Sequence, residues 1–305
     1  MNPIKKIPDY ILSIILKCFF YILKILGKKL ALNISSRLIS SLAKFTKYNM
    51  IALKNLQYVW PHISKTKREK IICSMWKILG INIAEFIFLR DYNPLNCKKT
   101  KIVGLSKIHK LIKESKKKNK GIIFFSAHFG SWEKIPIVLK KLNLEILCIY
   151  RKSNNIFVDK IIQDIRNDLG NYTPKGDQGA KKSFLWLRKG KSLALLMDQK
   201  LNEGVKINFL DKPAFTATAI AELALRMKLD IVPIKVSRKN IDLTEITFFD
   251  KLSLPTGKSI THKQKVSIVL NKVNSKISEW ILKEPEQWLW THRRWPKDIY
   301  EDKKS

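Results

Sequence analysis

The sequence predicts an α/β fold, a mixed, largely parallel sheet flanked by helices, preceded by a helical region and a membrane-anchoring helix. Three observations predict it. From Gly121 onward, short β-rich apolar runs alternate with segments of helical period, the pattern of strands joined by covering helices. Between Ala31 and Arg90 the apolar positions recur at helical spacing throughout. Ahead of both, Tyr10 to Leu26 is the most apolar stretch of the chain. The expected division is an anchor over 1–30, a helical region over 31–100 and an α/β domain over 101–305.

Length and charge bound the rest. With 305 residues and 45% hydrophobic content, the chain can bury a substantial core. Lys and Arg number 59 against 25 Asp and Glu, a formal net charge of +34. Such an excess seeks polyanions: nucleic acid, an anionic membrane surface, or an acidic protein or phosphorylated lipid. Part of it is the lysine of an Ile-, Asn- and Lys-rich composition, so charge alone selects none of the three. Cys18, Cys73, Cys97 and Cys148 form no C-x-x-C pair, which argues against a metal site or disulfide framework and for a reducing compartment.

Taken in order, the segment Tyr10 to Leu26 would span about 25 Å as a helix, slightly short of a hydrocarbon core of about 30 Å. Ser13, Lys17, Lys24 and Lys28 fall in a narrow stripe on one face. Two geometries fit: a helix lying in the interface with its lysines among headgroups, or a spanning helix with Lys17 near the centre. Lys5 and Lys6 before it and Lys28 and Lys29 after it leave the orientation open, and no A-x-A-like site follows. Three helices are expected from Ala31 to Arg90, broken at Trp60, Pro61 and His62. The apolar run Ile72 to Arg90 reads as core, with the wall of an apolar groove as its alternative. Residues 91–100 read as a connection, 102–104 as a short strand and 105–119 as a helix with a solvated lysine-rich end.

From Gly121 the expected elements are strand 121–127, helix 132–141, strand 144–150, helices 155–169 and 177–189, and strand 192–197. They continue with strand 205–209, helix 216–228, strands 230–236 and 244–250, and a long helix over 261–283. In such sheets the ligand lies outside the strand carboxyl ends, and His128, Arg151 and Asp198 all fall there. The central stretch is GIIFFSAHFGSWEKIPIVLKKL, Gly121 to Leu142. Its Ser131 is placed to cap the following helix, and Glu133 in the first turn is expected to fold back to within a hydrogen bond of His128. That is a general base held by an orienting acid. Arg151 suits a phosphate, which guanidinium pairs with bidentately. A strand-end histidine taken alone is more often a packed residue; the motifs around it change that reading.

Those motifs are HFGSWE, Tyr150 to Asn155 (YRKSNN), Met197 to Gln199 (MDQ), Lys212 to Arg226 (KPAFTATAIAELALR) and Glu286 to Trp295 (EQWLWTHRRW). Together, over about residues 100 to 297, they resemble the late acyltransferases of lipid A biosynthesis, members of the lysophospholipid acyltransferase superfamily marked by His, four residues, then Asp or Glu. The resemblance implies transfer of an acyl group from a thioester to a hydroxyl of a lipid A precursor, with no cofactor, no metal and no covalent acyl-enzyme. His128 would be the general base and Glu133 would fix its tautomer, with backbone amides near Phe129 and Gly130 as oxyanion donors. Matching family positions adds Arg166 as a partner of Asp198, Gln199 beside it, Gly204 and Thr216 as shapers of the acceptor pocket, and His292, Arg293 and Arg294 against a phosphorylated headgroup, with a structural aromatic cluster as the alternative for that last run. The implied partners are an acyl carrier protein, or coenzyme A instead, a lipid A precursor or related glycolipid, and the membrane, without nucleic acid. The implied location is the bacterial inner membrane with the catalytic domain facing the cytoplasm. Two readings stand beside this one: the same chemistry on a lysophospholipid or other glycolipid, and, from another class, a basic nucleic-acid or anionic-membrane binding protein.

Overall fold

The computed structural model describes residues 7–257 and 259–301 and contains nine strands. They are β1 (Thr100–Val103), β2 (Ile123–Ser126), β3 (Ile146–Tyr150), β4 (Asn171–Pro174), β5 (Ser192–Leu196), β6 (Lys200–Phe209), β7 (Lys212–Thr216), β8 (Ile231–Arg238) and β9 (Thr244–Phe248). Seven form one sheet in the order β1-β9-β8-β2-β5-β3-β4, parallel except between β8 and β9. β6 and β7 form a separate antiparallel hairpin. All four residues of β2 are buried, as a central strand covered on both faces requires.

Ten α-helices surround these strands: α1 (Ile7–Ile25), α2 (Gly27–Leu42), α3 (Lys47–Val59), α4 (Lys65–Phe86), α5 (Leu105–Lys117), α6 (Ile135–Lys141), α7 (Ile156–Arg166), α8 (Asp177–Arg188), α9 (Ala219–Met227) and α10 (His262–Lys283). Strand alternation sends Phe125 to one face, into a core with α3, α4, α9 and α10, and Phe124 to the other, against α5 and α6. α10 starts at a capping box, Thr261 with Gln264, and its Trp280 stacks on Phe125 at 6.3 Å. The α/β architecture and mixed, largely parallel sheet expected from the sequence are present. β4 and β7 were not expected: each is short and half exposed, so neither writes an apolar alternation into the sequence.

The expected three helices of the N-terminal region are α2, α3 and α4. α2 lies against α4 at Gly80, where a Cβ would sit 2.5 Å from the Ser35 carbonyl, and the Ser35 hydroxyl donates to the Gly80 carbonyl at 2.7 Å. α1 touches the sheet domain at α7, through an edge contact of Tyr10 with Phe157 at 5.3 Å and a hydrogen bond from the Asn155 amide to the Asp9 carbonyl. Ile11, Ile15, Ile22 and Ile25 of α1 and Leu30, Ile34 and Leu38 of α2 remain exposed. No helix among the described residues is long and apolar enough to cross a membrane. The apolar run of α1 contains Lys17 and Lys24 and the helix ends before Gly27, so of the two expected geometries the described residues do not present the spanning one. Lys5 and Lys6 lie outside the described residues.

Candidate active site

β2 and β5 are parallel neighbours with Ser126 opposite Leu196, so the residues two beyond each, His128 and Asp198, meet at their carboxyl ends. His128 Nδ1 lies 2.9 Å from Asp198 Oδ1, and the His128 backbone N–H donates to Oδ2 at 3.0 Å. The Trp288 indole N–H donates to the same Oδ2 at 2.8 Å. Asp198 is fully buried, which alone would raise its pKa; the His128 imidazole and these hydrogen bonds outweigh burial and hold it well below the usual carboxylate range. A carboxylate only accepts, so Nδ1 carries the ring proton and Nε2 keeps a free lone pair. That tautomer leaves Nε2 able to accept a proton.

Glu133 does not make this contact. After His128 the chain turns through Gly130 in a left-handed conformation (φ 53°), where a Cβ would strike the Val236 carbonyl at 1.9 Å. The Gly130 N–H donates to the Gln287 carbonyl at 2.8 Å, and Ser131 to Glu133 turn away toward α7. Glu133 there accepts from Arg166 Nη2, from Arg166 Nε at 3.4 Å and from the Trp132 indole at 3.2 Å. The expected pairings are thus exchanged: Asp198 holds His128, and Arg166 pairs with Glu133 rather than Asp198. Trp132 joins the two couples, its ring 5.3 Å from that of His128. Burial would lower the Arg166 pKa, but Glu133 overrides it and the pKa is raised. Two further expectations fail locally. The Phe129 and Gly130 amides are occupied by the Ala127 and Gln287 carbonyls, so neither serves as an oxyanion donor, and Ser131 caps no helix.

The Ser131 hydroxyl instead enters a buried network behind the turn, accepting from Arg238 and facing Asn82 Oδ1 at 3.3 Å. Arg238 also pairs with Glu85, and Lys134 reaches Glu85 at 2.8 Å and the Thr244 hydroxyl at 2.7 Å. The Asn82 amide donates to the Gly130 carbonyl at 2.5 Å. Burial would raise the Glu85 pKa; the two cations outweigh it and hold it down, while burial lowers Lys134 to about 8. α4 thus pins the turn that carries His128 and Glu133. From the other side comes the segment 285–295. His128 O accepts from the Leu289 N–H at 2.9 Å, and the His292 ring sits 4.6 Å from the His128 ring. Burial, with His128 beside it, lowers the His292 pKa to about 4, so the second imidazole stays neutral.

A cavity of about 770 Å³ opens at these groups. His128, Glu133, Arg166, Arg151 and Gln199 line it, and its walls are apolar at Phe124, Ile135, Cys148, Ala194, Leu223 and Ile234. Burial pushes the Cys148 thiol up to about 12, so it is a neutral wall residue. His128, Asp198 and His292 bring ligand atoms within 4.8 Å of one another, the only such grouping among the described residues. Both Asp198 oxygens already face N–H donors, so a metal ion would have to displace those hydrogen bonds.

The arrangement, an imidazole held by a carboxylate beside a cavity with apolar walls, is compatible with acyl chemistry on a lipid. The model of the family described as bacterial lipid A biosynthesis acyltransferase matches residues 2–297. The chain belongs to that family. Over 262 residues it is also 22% identical to a lipid A biosynthesis acyltransferase of Haemophilus influenzae, an alignment covering 81% of this chain and 75% of the relative. It is an acyltransferase, and the reading as a nucleic-acid binding module gives way.

In this acyltransferase the remaining expected residues divide. Arg293 is exposed and borders a second cavity. Arg294 is fully buried, donates to the Phe215 carbonyl at 2.6 Å and the Thr216 hydroxyl at 2.7 Å, and stacks on Phe209. Thr216 also accepts from Asn274, and at Gly204 a Cβ would lie 2.2 Å from the Thr216 carbonyl. These three join the β6–β7 hairpin to the C-terminal segment and line neither cavity. Trp132 and the Glu85–Arg238 network carry no assignment from the sequence, while Trp288 and His292, expected in a closing motif near a headgroup, lie instead against Asp198 and His128. Only the register of β2 with β5 signals the central pair, because each strand is followed by a titratable residue at the same offset.

Proposed function

We propose that the protein moves a fatty acyl group from an acyl carrier protein thioester to a hydroxyl of a lipid A precursor, with His128 as general base held by Asp198. The acceptor hydroxyl gives its proton to His128 Nε2 as its oxygen bonds to the thioester carbon. The tetrahedral intermediate then breaks its C–S bond, and the imidazolium returns the proton to the leaving thiolate. Asp198 stabilises that imidazolium, the part a carboxylate plays in a serine protease triad, here without an enzyme nucleophile. The Gln199 amide beside Asp198 offers an N–H donor, and Arg151 in the cavity lining offers positive charge, to the oxyanion that develops. Glu133 keeps Arg166 and Trp132 in place. The basic charge suits an acidic carrier protein, and the exposed apolar faces of α1 and α2 suit the interfacial layer of the bacterial inner membrane, with the catalytic domain on the cytoplasmic side.

The observation that carries this reading is the His128–Asp198 couple at an apolar-walled cavity of about 770 Å³. The test is transfer by detergent-solubilised protein from carrier thioesters to a lipid A precursor, lysophosphatidic acid or a lysophospholipid. Transfer to the first, reduced about 10²- to 10⁴-fold in His128→Ala and comparably in Asp198→Asn, is the expected result. Transfer to a lysophospholipid alone would overturn the acceptor, and full activity in His128→Ala would overturn the mechanism.

A further inference from the structure

The cavity at His128 draws its lining from both faces of the sheet, so it straddles the strand ends and divides into two arms. Phe124, Cys148 and Ala194 line it on the face covered by α6; Phe125, Ile149 and Leu195, the next residue of each strand, line it on the face covered by α8 and α9. The arms differ in chemistry. Under α6 stands the Glu133–Arg166 couple, with the Tyr172 and Tyr150 rings 5.2 and 5.7 Å from the guanidinium. The α8 arm is walled by Phe125, Ile149, Leu195 and Leu223, and the hydroxyl of its Ser183 already donates to the Gly179 carbonyl at 2.7 Å. Its charged residues stand at the rim: Lys175 and Asp177 are exposed, and Glu222 pairs with His262 at 2.8 Å. Such a wall takes a hydrocarbon without burying an unmet polar group.

This arm also has a floor. Gly179, Ser183 and Leu187 follow one another along one face of α8; the first two line the cavity, and Leu187 is buried in the core beyond it. On the strands the change falls in the same way. Phe125 and Leu195 lie opposite each other and line the cavity, whereas the next pair inward on that face, Ile123 opposite Leu193, is fully buried and does not. From 123 to 128 and from 193 to 198 the chain covers about 16 Å at a strand's rise per residue, which is the depth from His128 and Asp198 to that floor. Keeping about 4 Å of contact there leaves a run of about 12 Å, the length of an extended acyl chain of about ten carbons. We infer that the α8 arm holds the acyl chain of the donor, and that Ser183, Leu187 and Leu193 set the chain length that is transferred. The inference rests on the acyl-transfer reading and adds to it the residues that select the substrate.

The test measures kcat/KM for a series of saturated acyl thioesters of graded length with one acceptor, in wild type, Ser183→Leu and Leu187→Ala. Ser183 lies about 6 Å along α8 from Leu187, so filling that position should move the optimum down by about four carbons, and opening Leu187 should move it up by about two. In each variant the ratio of the new best chain to the old one should change at least about tenfold. An unchanged optimum in both would overturn the inference. So would a shift in Ala194→Leu, on the α6 face, with none in Ser183→Leu. Photocrosslinking of wild type by a decanoyl pantetheine thioester with a diazirine at its terminal carbon, read by peptide mass spectrometry, needs neither transfer nor a stable variant. Label within residues 183–193 upholds the arm even where no acceptor is acylated, and label confined to α6 or α7, or none, removes it.

Discussion

Asp198 accepts from two separate groups on His128 and from the indole of Trp288, and none of the three can be met by water in a fully buried position. Its neighbour His292 is buried as a neutral ring, and this couples the site to acid. Because burial lowers the His292 pKa from about 6.5 to about 4, the unfolded chain binds the proton that the folded chain refuses between those two values. The stability tied to this group is complete above pH 6.5 and is lost as pH falls toward 4. Asp198 acts in the same direction at still lower pH. Denaturant unfolding at several pH values should therefore show stability falling by about 3 kcal/mol across that window, and His292→Asn should flatten the slope. An unchanged slope in the variant would mean that His292 is protonated in the folded protein or already neutral in the unfolded one.

At the scale of elements, the turn from His128 to Lys134 is held from α4, β8 and the 285–295 segment rather than by a cap of its own. Its geometry depends on Gly130 in the left-handed region and on the buried Arg238–Glu85–Lys134 cluster. Removing Glu85 leaves two buried cations without a counter-charge, so Glu85→Leu should cost about 3 to 5 kcal/mol in denaturant unfolding, whereas Arg238→Met leaves the Glu85–Lys134 pair matched and should cost less. A cost below about 1 kcal/mol for Glu85→Leu would show that the cluster does not brace the turn. This element also shows how far the sequence could be read. The strand before His128 and the helix after Lys134 are written in local apolar patterns, and so is the convergence of His128, Arg151 and Asp198 at strand ends. Which carboxylate meets the imidazole is not local: it follows from β5 lying beside β2, a pairing of residues 70 positions apart. Proximity in sequence favoured Glu133, and parallel register favours Asp198. Arg294 and Thr216 were misplaced for the same reason, since they meet across a separation that no spacing rule spans.

Across the whole molecule, α1 and α2 form an apolar surface that meets the rest of the chain at α4, at α7 and at Ile241 of the β8–β9 connection. The attachment proposed is interfacial, with exposed isoleucines in the lipid and the lysine excess on anionic headgroups. Ile15→Ser and Ile22→Ser should each weaken co-sedimentation with anionic vesicles about tenfold and leave thermal unfolding unchanged, because both side chains are exposed. Undiminished binding of the double variant would place the membrane contact elsewhere. Asp198 rather than Glu133 is proposed to hold His128, and the most direct measurement of this is the imidazole ¹⁵N spectrum of the histidine-labelled protein, with His128 assigned by substitution. The expected result is the Nδ1–H tautomer in wild type and in Glu133→Gln, and its loss in Asp198→Asn. A tautomer that survives Asp198→Asn and disappears in Glu133→Gln would contradict it.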